Sequence, residues 1–354
     1  MLTDRAVFDD EHLPRRLLHR ESDVETLLRS WRATQFGSAG DDVLLAGPSG
    51  VGKTVLSRYT LDRLADRAPI AQAYVPCLGA TPATILRRVC RAAGIEAAQT
   101  DPADRLQSRL IDQLDRPAIV ILDEADGLPK SEALQLLADI PAVSTAVITH
   151  DMDRFLARAD RTHDRYLSAT HLELERYGVD ELADILGARA QAGLPPAAVS
   201  REQLERIADD VAGVAREGIQ ALRAAAMLAD ERGHGTITDE DIDDAYERAR
   251  HRIRQSNLRS LPFHHQVLYA IVHATGRCDG AALHDRYDGL AERVYADQDR
   301  TPITKRSRRN KLRKLQAYDL IERQGPTHDP TYAVTDTDVE PLVGLVDSCD
   351  PPET

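Results

Sequence analysis

The segment Gly47–Thr54, with the sequence GPSGVGKT, constrains the fold of this chain more than any other feature. It fits the phosphate-loop pattern G-x-x-x-x-G-K-[ST]. In that pattern a strand turns tightly into a helix, whose N-terminal amides and dipole attract phosphate. The apolar run Val43–Ala46 before the segment and the helical spacing of apolar residues after it predict such a strand and helix. The segment therefore predicts an α/β nucleotide-binding domain.

The individual residues of the loop have predicted roles. Glycine at positions 47, 50 and 52 leaves the backbone open to a phosphate group. Lys53 is predicted to reach the β- and γ-phosphates, and the Thr54 hydroxyl to ligate Mg²⁺. The predicted nucleotide-binding residues of the loop are Gly47, Pro48, Ser49, Gly50, Val51, Gly52, Lys53 and Thr54.

A second motif follows at residues 118–124, AIVILDE. Its continuous apolar run is typical of a strand buried on both faces, and it ends in two carboxylates. In open α/β sheets ligands bind at this carboxyl edge. We expect Asp123 to hold Mg²⁺ together with Thr54, and Glu124 to orient the attacking water. The predicted catalytic residues are Lys53, Asp123 and Glu124, and the predicted cofactors are ATP or ADP and Mg²⁺.

Strands and helices alternate through residues 41–150, which predicts a parallel sheet. The next core strand, Ala146–Ile148, is followed by Thr149 and His150. Either side chain is in a position to touch the γ-phosphate or its water. For His150, the alternative is that it is an ordinary residue at the end of a strand without a contact to nucleotide, and the sequence favours the two interpretations equally.

Composition limits the classes of protein to consider. The formal charge is −13, which argues against a chain that coats nucleic acid uniformly. The cysteines are scattered with no C-x-x-C pair, so neither a zinc site nor a disulfide framework is expected. The N-terminus lacks a leader-like apolar region and no apolar run has the length of a membrane helix. We expect a soluble, cytoplasmic protein without membrane contact.

Charge reverses locally near the C-terminus. Seven of the ten residues 305–314 are basic, and Thr304 is placed to cap the helix that they form. Two helices precede this basic helix and two strands, 320–324 and 331–334, follow it. This order predicts a winged helix-turn-helix whose third helix enters a DNA major groove, whereas the alternative is a solvated helix face. The predicted DNA-binding residues are Thr304, Lys305, Arg306, Arg308, Arg309, Lys311 and Gly325.

These patterns divide the chain into four predicted regions. Residues 1–170 form the P-loop core, and residues 171–252 form a lid. Residues 151–250 are predicted to be all-helical. Residues 253–340 form a winged-helix domain that binds DNA. Residues 341–354 form an acidic tail that is expected to be disordered.

With its nucleotide-binding motifs and its basic helix taken together, the chain resembles the archaeal DNA replication initiators related to the origin-recognition complex and the cell-division-control helicase loader. The segment 13–21, LPRRLLHRE, is similar to the segment that precedes the ATPase domain of that family. The phosphate loop, the ILDEAD motif and the winged end complete the resemblance. It implies an AAA+ ATPase core with a parallel sheet, an all-α lid and a C-terminal winged helix. It also implies a nucleoid-associated protein that binds double-stranded origin DNA, helps to recruit the replicative helicase, and is monomeric in solution or assembles on DNA.

The resemblance also implies further site residues. Tyr177, Arg189 and Arg216 match the family's nucleotide-contacting tyrosine, lid arginine and sensor-2 arginine. Thr149 or His150 stands at the sensor-1 position, where the family usually has Asn. Arg161 or Arg165 stands in the arginine-finger region.

Because the sensor-1 and arginine-finger regions depart from the family pattern, we expect a slow ATPase that uses hydrolysis as a switch. Two other functions fit the same architecture. One is a nucleotide-gated transcription regulator or plasmid-type replicon protein, and the other is an ATPase that remodels a protein partner through its winged helix.

Overall fold

The computed structural model of this chain describes residues 1–128, 132–157, 163–298, 300–326 and 330–345. The chain divides into two compact units, Met1–Ala245 and Tyr246–Thr354. Most of the predicted tail lies beyond residue 345 and so outside the described residues. In the part of the chain that is described, no helix is both long enough and apolar enough to cross a membrane.

The first unit is built on a five-stranded parallel sheet. Its strands are β1 (Val43–Ala46), β2 (Ala71–Pro76), β3 (Ala118–Asp123), β4 (Val143–Ile148) and β5 (Thr170–Glu173). They lie in the order β2-β3-β4-β1-β5, so the carboxyl ends of all five meet at one edge. The prediction that residues 151–250 are all-helical was wrong for β5. This edge strand is short and only alternately half-buried, so it lacks the apolar run that marks the others.

Among the described residues, seven helices accompany this sheet: α1 (Glu21–Ser30), α2 (Lys53–Ala65), α3 (Pro82–Ala93), α4 (Ala103–Gln113), α5 (Glu132–Ala138), α6 (Met152–Leu156) and α7 (His163–Leu167). Successive strand residues point to opposite faces, which gives the sheet two apolar cores. Val120 and Leu122 join the core that contains α3 and α4, whereas Ile119 and Ile121 join the core of α1 and α2. This explains the continuous apolar run of β3.

Four helices follow the sheet, as predicted for a lid: α8 (Val179–Gly193), α9 (Arg201–Asp210), α10 (Ala215–Glu231) and α11 (Asp239–Ser260). The predicted capping box of α9 is present, because the Gln203 amide donates to the Ser200 hydroxyl and the Gln203 side chain accepts from the Ser200 amide. Helix α11 continues unbroken past residue 252, and the two compact units divide within it. The domain limits given by the sequence therefore stay predictions.

The second unit has the order of a winged helix. After α11 come α12 (Phe263–Thr275), β6 (Arg277–Asp279), α13 (Gly280–Tyr295), α14 (Lys305–Ala317), β7 (Ile321–Gln324) and β8 (Thr331–Val334). The strands form an antiparallel sheet in the order β6-β8-β7. Strand β6 was not predicted, because its three residues are too few to show a pattern. The predicted fold class, a parallel α/β domain with a helical lid and a winged helix, is confirmed.

Candidate functional site

The phosphate loop connects β1 to α2 and has a backbone that only glycine accommodates. Gly47, Gly50 and Gly52 all have positive φ, at 140°, 79° and 97°. A Cβ on Gly47 would lie 2.3 Å from the carbonyl oxygen of Leu174, and one on Gly50 would lie 2.7 Å from Cγ1 of Val214. The loop is thus closely packed against the segments that follow β5 and precede α10.

Lys53 is the buried cation of this loop, with 7% of its surface exposed. Its ammonium group donates to the carbonyl oxygens of Gly47 and Pro48, both at 2.6 Å. These bonds satisfy a charge that would otherwise be costly to bury. They also hold the ammonium inside the loop, where a phosphate group would be bound.

Asp123 lies at the carboxyl end of β3, where three elements converge on its carboxylate. Thr54 of α2 and Tyr74 of β2 both donate to its Oδ2 atom at 2.8 Å, and the amide of Glu124 donates to Oδ1 at 2.9 Å. Burial, reinforced by the charge of Asp123, raises the pKa of the Tyr74 phenol, so its hydroxyl stays a donor. Oxygen donors at this spacing suit Mg²⁺, which prefers carboxylate, hydroxyl and phosphate oxygens.

Glu124 has positive φ, at 54°, because the chain turns sharply out of β3 here. It is half-buried and sits beside Asp123 at the edge where the strands end. The predicted catalytic residues Lys53, Asp123 and Glu124 therefore occupy the loop and the adjacent strand end.

The two sensor-1 alternatives differ in environment. The Thr149 side chain is buried and its hydroxyl donates to Asp126 at 2.6 Å, whereas the His150 residue is exposed and its amide donates to the other oxygen of Asp126 at 2.8 Å. Asp126 thus ties the end of β4 to the turn that follows β3. Thr149 makes this link through its side chain, whereas His150 makes it through its backbone amide.

Tyr177 and Arg216 of the lid segment lie beside the phosphate loop. A Cβ on Gly52 would be 3.6 Å from the Tyr177 hydroxyl, and the Arg20 guanidinium stacks on the Tyr177 ring with its carbon 4.3 Å from the centroid. The Arg216 amide donates to the carbonyl oxygen of Gly50 at 3.2 Å. The first turn of α10 is therefore hydrogen-bonded to the loop.

Arg189 has a different environment from the other two lid residues. Its side chain is buried and its guanidinium donates to the carbonyl oxygen of Val7 at 2.7 Å. Burial lowers the pKa of this guanidinium. Arg189 thus holds the N-terminal segment against α8, and its predicted contact with nucleotide stays a prediction.

The arginine-finger alternatives fall in the region after α6. Arg161 lies outside the described residues. Arg165 is half-buried and forms an ion pair with Asp42, and it donates to the carbonyl oxygens of Ala138 at 2.7 Å and Val143 at 3.2 Å. Although burial opposes its charge, the hydrogen bond and charge of Asp42 raise its pKa. These contacts join Arg165 to other residues of its own domain, and its assignment as an arginine finger stays a prediction.

Helix α14 of the second unit carries the basic run, and its side chains point in different directions. The Thr304 hydroxyl caps the helix by accepting from the Ser307 amide at 3.3 Å, as predicted. Lys305, Arg306 and Arg309 are exposed, and Lys311 is half-buried with its pKa lowered by that burial. The sequence-based list omitted Arg313, which is exposed and lies on one face with Arg306 and Arg309 at helical spacing.

Arg308 was wrongly assigned to the DNA-binding face. It is 4% exposed, and its guanidinium stacks on Tyr287 at 3.9 Å and forms an ion pair with Asp288. It also donates to the carbonyl oxygens of Ile303 at 3.0 Å and His284 at 3.1 Å. The seven basic residues are spread over ten positions of a helix and so point in all directions around its axis, which leaves one of them facing α13. Arg308 fastens α14 to α13.

Gly325 follows β7 at the start of the wing and has positive φ, at 83°. It is exposed, and its predicted contact with DNA stays a prediction. Residues 327–329, between it and β8, lie outside the described residues.

Comparisons with known proteins place these sites in a family. Residues 42–156 match the model of an AAA domain, and residues 183–247 match that of a Cdc6 AAA+ ATPase-type lid domain. The chain is 33% identical to "ORC1-type DNA replication protein 9" of Halobacterium salinarum over 345 residues, which cover 95% of both chains. It belongs to the family of ORC1-type DNA replication proteins. The resemblance inferred from the sequence is confirmed.

Solved structures of ORC1-type relatives share the fold. The Aeropyrum pernix ORC1 protein in complex with DNA has a TM-score of 0.72 at 23% identity, over 94% of this chain and 93% of that one. The Aeropyrum pernix ORC2 protein, solved as ADPNP-ADP complexes, has a TM-score of 0.62 at 23% identity, over 94% of both chains.

For this ORC1-type chain, the structure adds residues that sequence reasoning missed. Tyr74 contacts Asp123, Asp126 binds the end of β4, and Asp10 contacts Arg216. Asp126 was detectable, since it stands in the ILDEAD motif. Tyr74 and Asp10 carried no such signal, because their relevance depends on which strand or helix lies beside them.

Proposed function

We propose that this protein is an ATP-dependent initiator of DNA replication, which binds double-stranded origin DNA and helps to recruit the replicative helicase. The observation that carries the proposal is the presence, in one ORC1-type chain, of a phosphate loop beside Asp123 and of a helix with an exposed basic face. The first is suited to a nucleoside triphosphate and the second to a phosphate backbone.

At the nucleotide site, the phosphates of ATP or ADP lie in the loop 47–54, with Lys53 on the β- and γ-phosphates. Thr54 and Asp123 would hold Mg²⁺, which would neutralise charge that develops on the phosphates. Glu124 orients the water that attacks the γ-phosphate. Arg216 approaches from the lid, and Tyr177 contacts the nucleotide. The ORC2 relative solved with ADPNP and ADP supports this assignment.

Hydrolysis is proposed to be slow and to act as a switch. Thr149, rather than the family's usual Asn, is linked to Asp126 at the end of β4. Arg165 is engaged with Asp42 in its own domain. Both features favour a role in which the bound nucleotide sets the state of the protein, and they argue against rapid turnover of ATP.

At the second site, Lys305, Arg306, Arg309 and Arg313 contact DNA phosphates, and the wing that begins near Gly325 contacts the same duplex. The ORC1 relative solved in complex with DNA supports this assignment. Because each phosphate contact releases counterions, the affinity should fall steeply with salt. Helicase recruitment, assembly on DNA and a place at the nucleoid are proposed from family membership.

A genome-wide binding experiment tests this function. Purified wild type and Lys53→Ala would be incubated with genomic fragments at several salt concentrations, and the bound fragments sequenced. Enrichment of a few repeat-bearing intergenic sites beside replication genes, altered in Lys53→Ala, is expected. Enrichment at promoters would instead indicate a transcription regulator. The absence of enrichment at any salt concentration would contradict DNA binding and favour an ATPase that remodels a protein.

A further inference from the structure

The N-terminal segment lies along the lid helices of its own unit. Phe8 is fully buried and packs so closely on Gly193 of α8 that a Cβ there would lie 2.4 Å from the Phe8 ring. The amide of Thr3 donates to the carbonyl oxygen of Gly193 at 2.9 Å. The side-chain amide of Gln220, on α10, donates to the carbonyl oxygen of Phe8 at 2.8 Å. These contacts fix the position of the two residues that follow Phe8.

Those two residues, Asp9 and Asp10, each pair with an arginine of α10. Asp9 pairs with Arg223 at 2.6 Å, and Asp10 pairs with Arg216 at 2.6 Å. A second bond from Arg216, donated by Nε at 3.2 Å, reaches the same oxygen of Asp10. The two arginines are seven residues apart and so share one face of the helix. The two ion pairs are therefore adjacent and chemically alike.

Only one of these pairs involves a residue that is bound to the phosphate loop. The Arg216 amide donates to the Gly50 carbonyl oxygen, and a Cβ on Gly50 would lie 3.3 Å from the Arg216 Cβ. Arg216 thus stands between two anionic positions, which are the carboxylate of Asp10 and the loop that would hold phosphates. No described contact joins the Arg223 side chain to that loop.

A carboxylate and a terminal phosphate are acceptors of the same kind for a guanidinium group. The Nε–H and one Nη2–H of Arg216 point to Asp10, so this edge of the guanidinium must turn away from the carboxylate before the same two hydrogens can make a bidentate contact to a γ-phosphate. ADP has no γ-phosphate, so its binding does not require Arg216 to leave Asp10. Since the pair is only partly exposed, at 27% and 33% of the two side chains, solvent screens it incompletely.

We propose that Asp10 is a specificity-determining residue of the nucleotide site, which competes with the γ-phosphate for Arg216 and so sets the preference between nucleoside diphosphate and triphosphate. The inference rests on the proposed nucleotide site and names its regulation. In the diphosphate state Asp10 holds Arg216, and the N-terminal segment stays joined to α10. In the triphosphate state Arg216 exchanges the carboxylate for the γ-phosphate, and this exchange loosens the segment.

The test compares Asp10→Asn with the matched control Asp9→Asn, which removes the same charge from the neighbouring pair. Dissociation constants for ADP and for ADPNP, each with Mg²⁺, would be measured by calorimetry on nucleotide-free full-length protein. For Asp10→Asn the ratio of ADPNP affinity to ADP affinity is expected to rise about tenfold, the size of one charge-assisted hydrogen bond. For Asp9→Asn the ratio is expected to stay within about twofold of wild type.

The same pair of measurements in an Arg216→Ala background separates the mechanism from a structural effect. There the Asp10→Asn substitution is expected to leave the ratio unchanged, because its target is absent. The inference would be overturned if Asp10→Asn alone left the ratio of ADPNP to ADP affinity unchanged or shifted it toward ADP. It would also be overturned if Asp10→Asn shifted the ratio equally in the Arg216→Ala background. Any of these results would leave the proposed nucleotide site intact. If wild type bound neither nucleotide, the proposed function would fail together with the inference.

Discussion

The phosphate loop and helix α14 both concentrate positive charge, but they use it in different ways. At the loop, one buried ammonium, that of Lys53, is fixed by two carbonyl oxygens, and the next residue, Thr54, donates to the Asp123 carboxylate. On α14, the charge is spread around a helix, with Arg309 exposed and Arg308 buried against α13. A site set by backbone geometry depends strongly on single residues, whereas a charged helix face depends weakly on each of several residues.

The largest effect is expected at the loop. Lys53→Ala removes the cation predicted to make charge-assisted bonds to two phosphates, each worth about 2 kcal/mol. Affinity for ATP should fall about a thousandfold, and affinity for ADP, which offers only the β-phosphate, about thirtyfold, as measured by titration with a fluorescent nucleotide. Arg67→Ala, which removes an exposed cation just after helix α2, serves as the control and should change the affinity little. Nucleotide binding by Lys53→Ala at wild-type affinity would remove the distinction between the two regions.

A smaller effect, on stability rather than binding, is expected for Arg308. Arg308→Ala breaks a buried network that includes Asp288 and Tyr287, and should destabilise the second unit by about 2–3 kcal/mol. Hydrogen exchange in α13 and α14 would report the loss. Arg309→Ala, the exposed neighbour, should leave exchange in both helices unchanged within about 0.5 kcal/mol. Equal protection in the two variants would show that Arg308 is not the anchor of the helix.

Acid should weaken the second unit through two of its histidines, His265, which is buried, and His264, which is half-buried. Burial, with the charges of Lys311 and Lys314, lowers the pKa of His265 to about 3, and burial with Lys311 and Arg300 lowers that of His264 to about 4. Between about pH 6.5 and 4 the unfolded chain binds protons that the folded chain does not, so stability rises with pH, by at most about 1.4 kcal/mol per pH unit for each histidine.

Urea unfolding of the full chain between pH 4.5 and 6.5 would measure this dependence by circular dichroism. Trp31, the sole tryptophan, is buried in the first unit and reports on that unit separately by its fluorescence. His265→Leu should flatten the dichroism-detected slope. A slope that His265→Leu leaves unchanged would place the acid sensitivity elsewhere.

The smallest effect is expected for Tyr74→Phe. The substitution removes one hydroxyl that donates to Asp123 and keeps the ring. Since Thr54 would leave Asp123 to ligate Mg²⁺, Tyr74 is the side chain that keeps the carboxylate oriented. The Mg²⁺ concentration needed for half-maximal ATP binding should rise about fivefold, whereas ADP binding in EDTA should not change. If ADP binding in EDTA also became weaker, the substitution would have disturbed packing instead.

How far the sequence predicts the molecule also differs between the regions. The strand–loop–helix of residues 43–65 was predictable because glycine and lysine at fixed positions determine a backbone shape. The five-stranded parallel sheet was predictable from apolar runs, apart from the edge strand β5. Within α14, the sequence predicts the helix and its Thr304 cap, but not that Arg308 points inward, because that depends on Tyr287 and Asp288 of α13.

Contacts between segments that are far apart along the chain could not be predicted from the sequence. Asp10 and Arg216 are separated by 206 residues, and Tyr74 and Asp123 by 49. No spacing pattern reveals such pairs; only the packing of the N-terminal segment on α10, or the pairing of β2 with β3, brings them together.

The central claim is that the exposed face of α14 binds DNA phosphates. Its most direct test is the salt dependence of binding to a duplex from the genomic enrichment, measured by fluorescence anisotropy for wild type and Arg309→Ala. The wild-type affinity should fall steeply with salt concentration, and Arg309→Ala should bind more weakly with a log–log slope smaller by about one. Binding that does not depend on salt, or a slope that the substitution leaves unchanged, would contradict the claim.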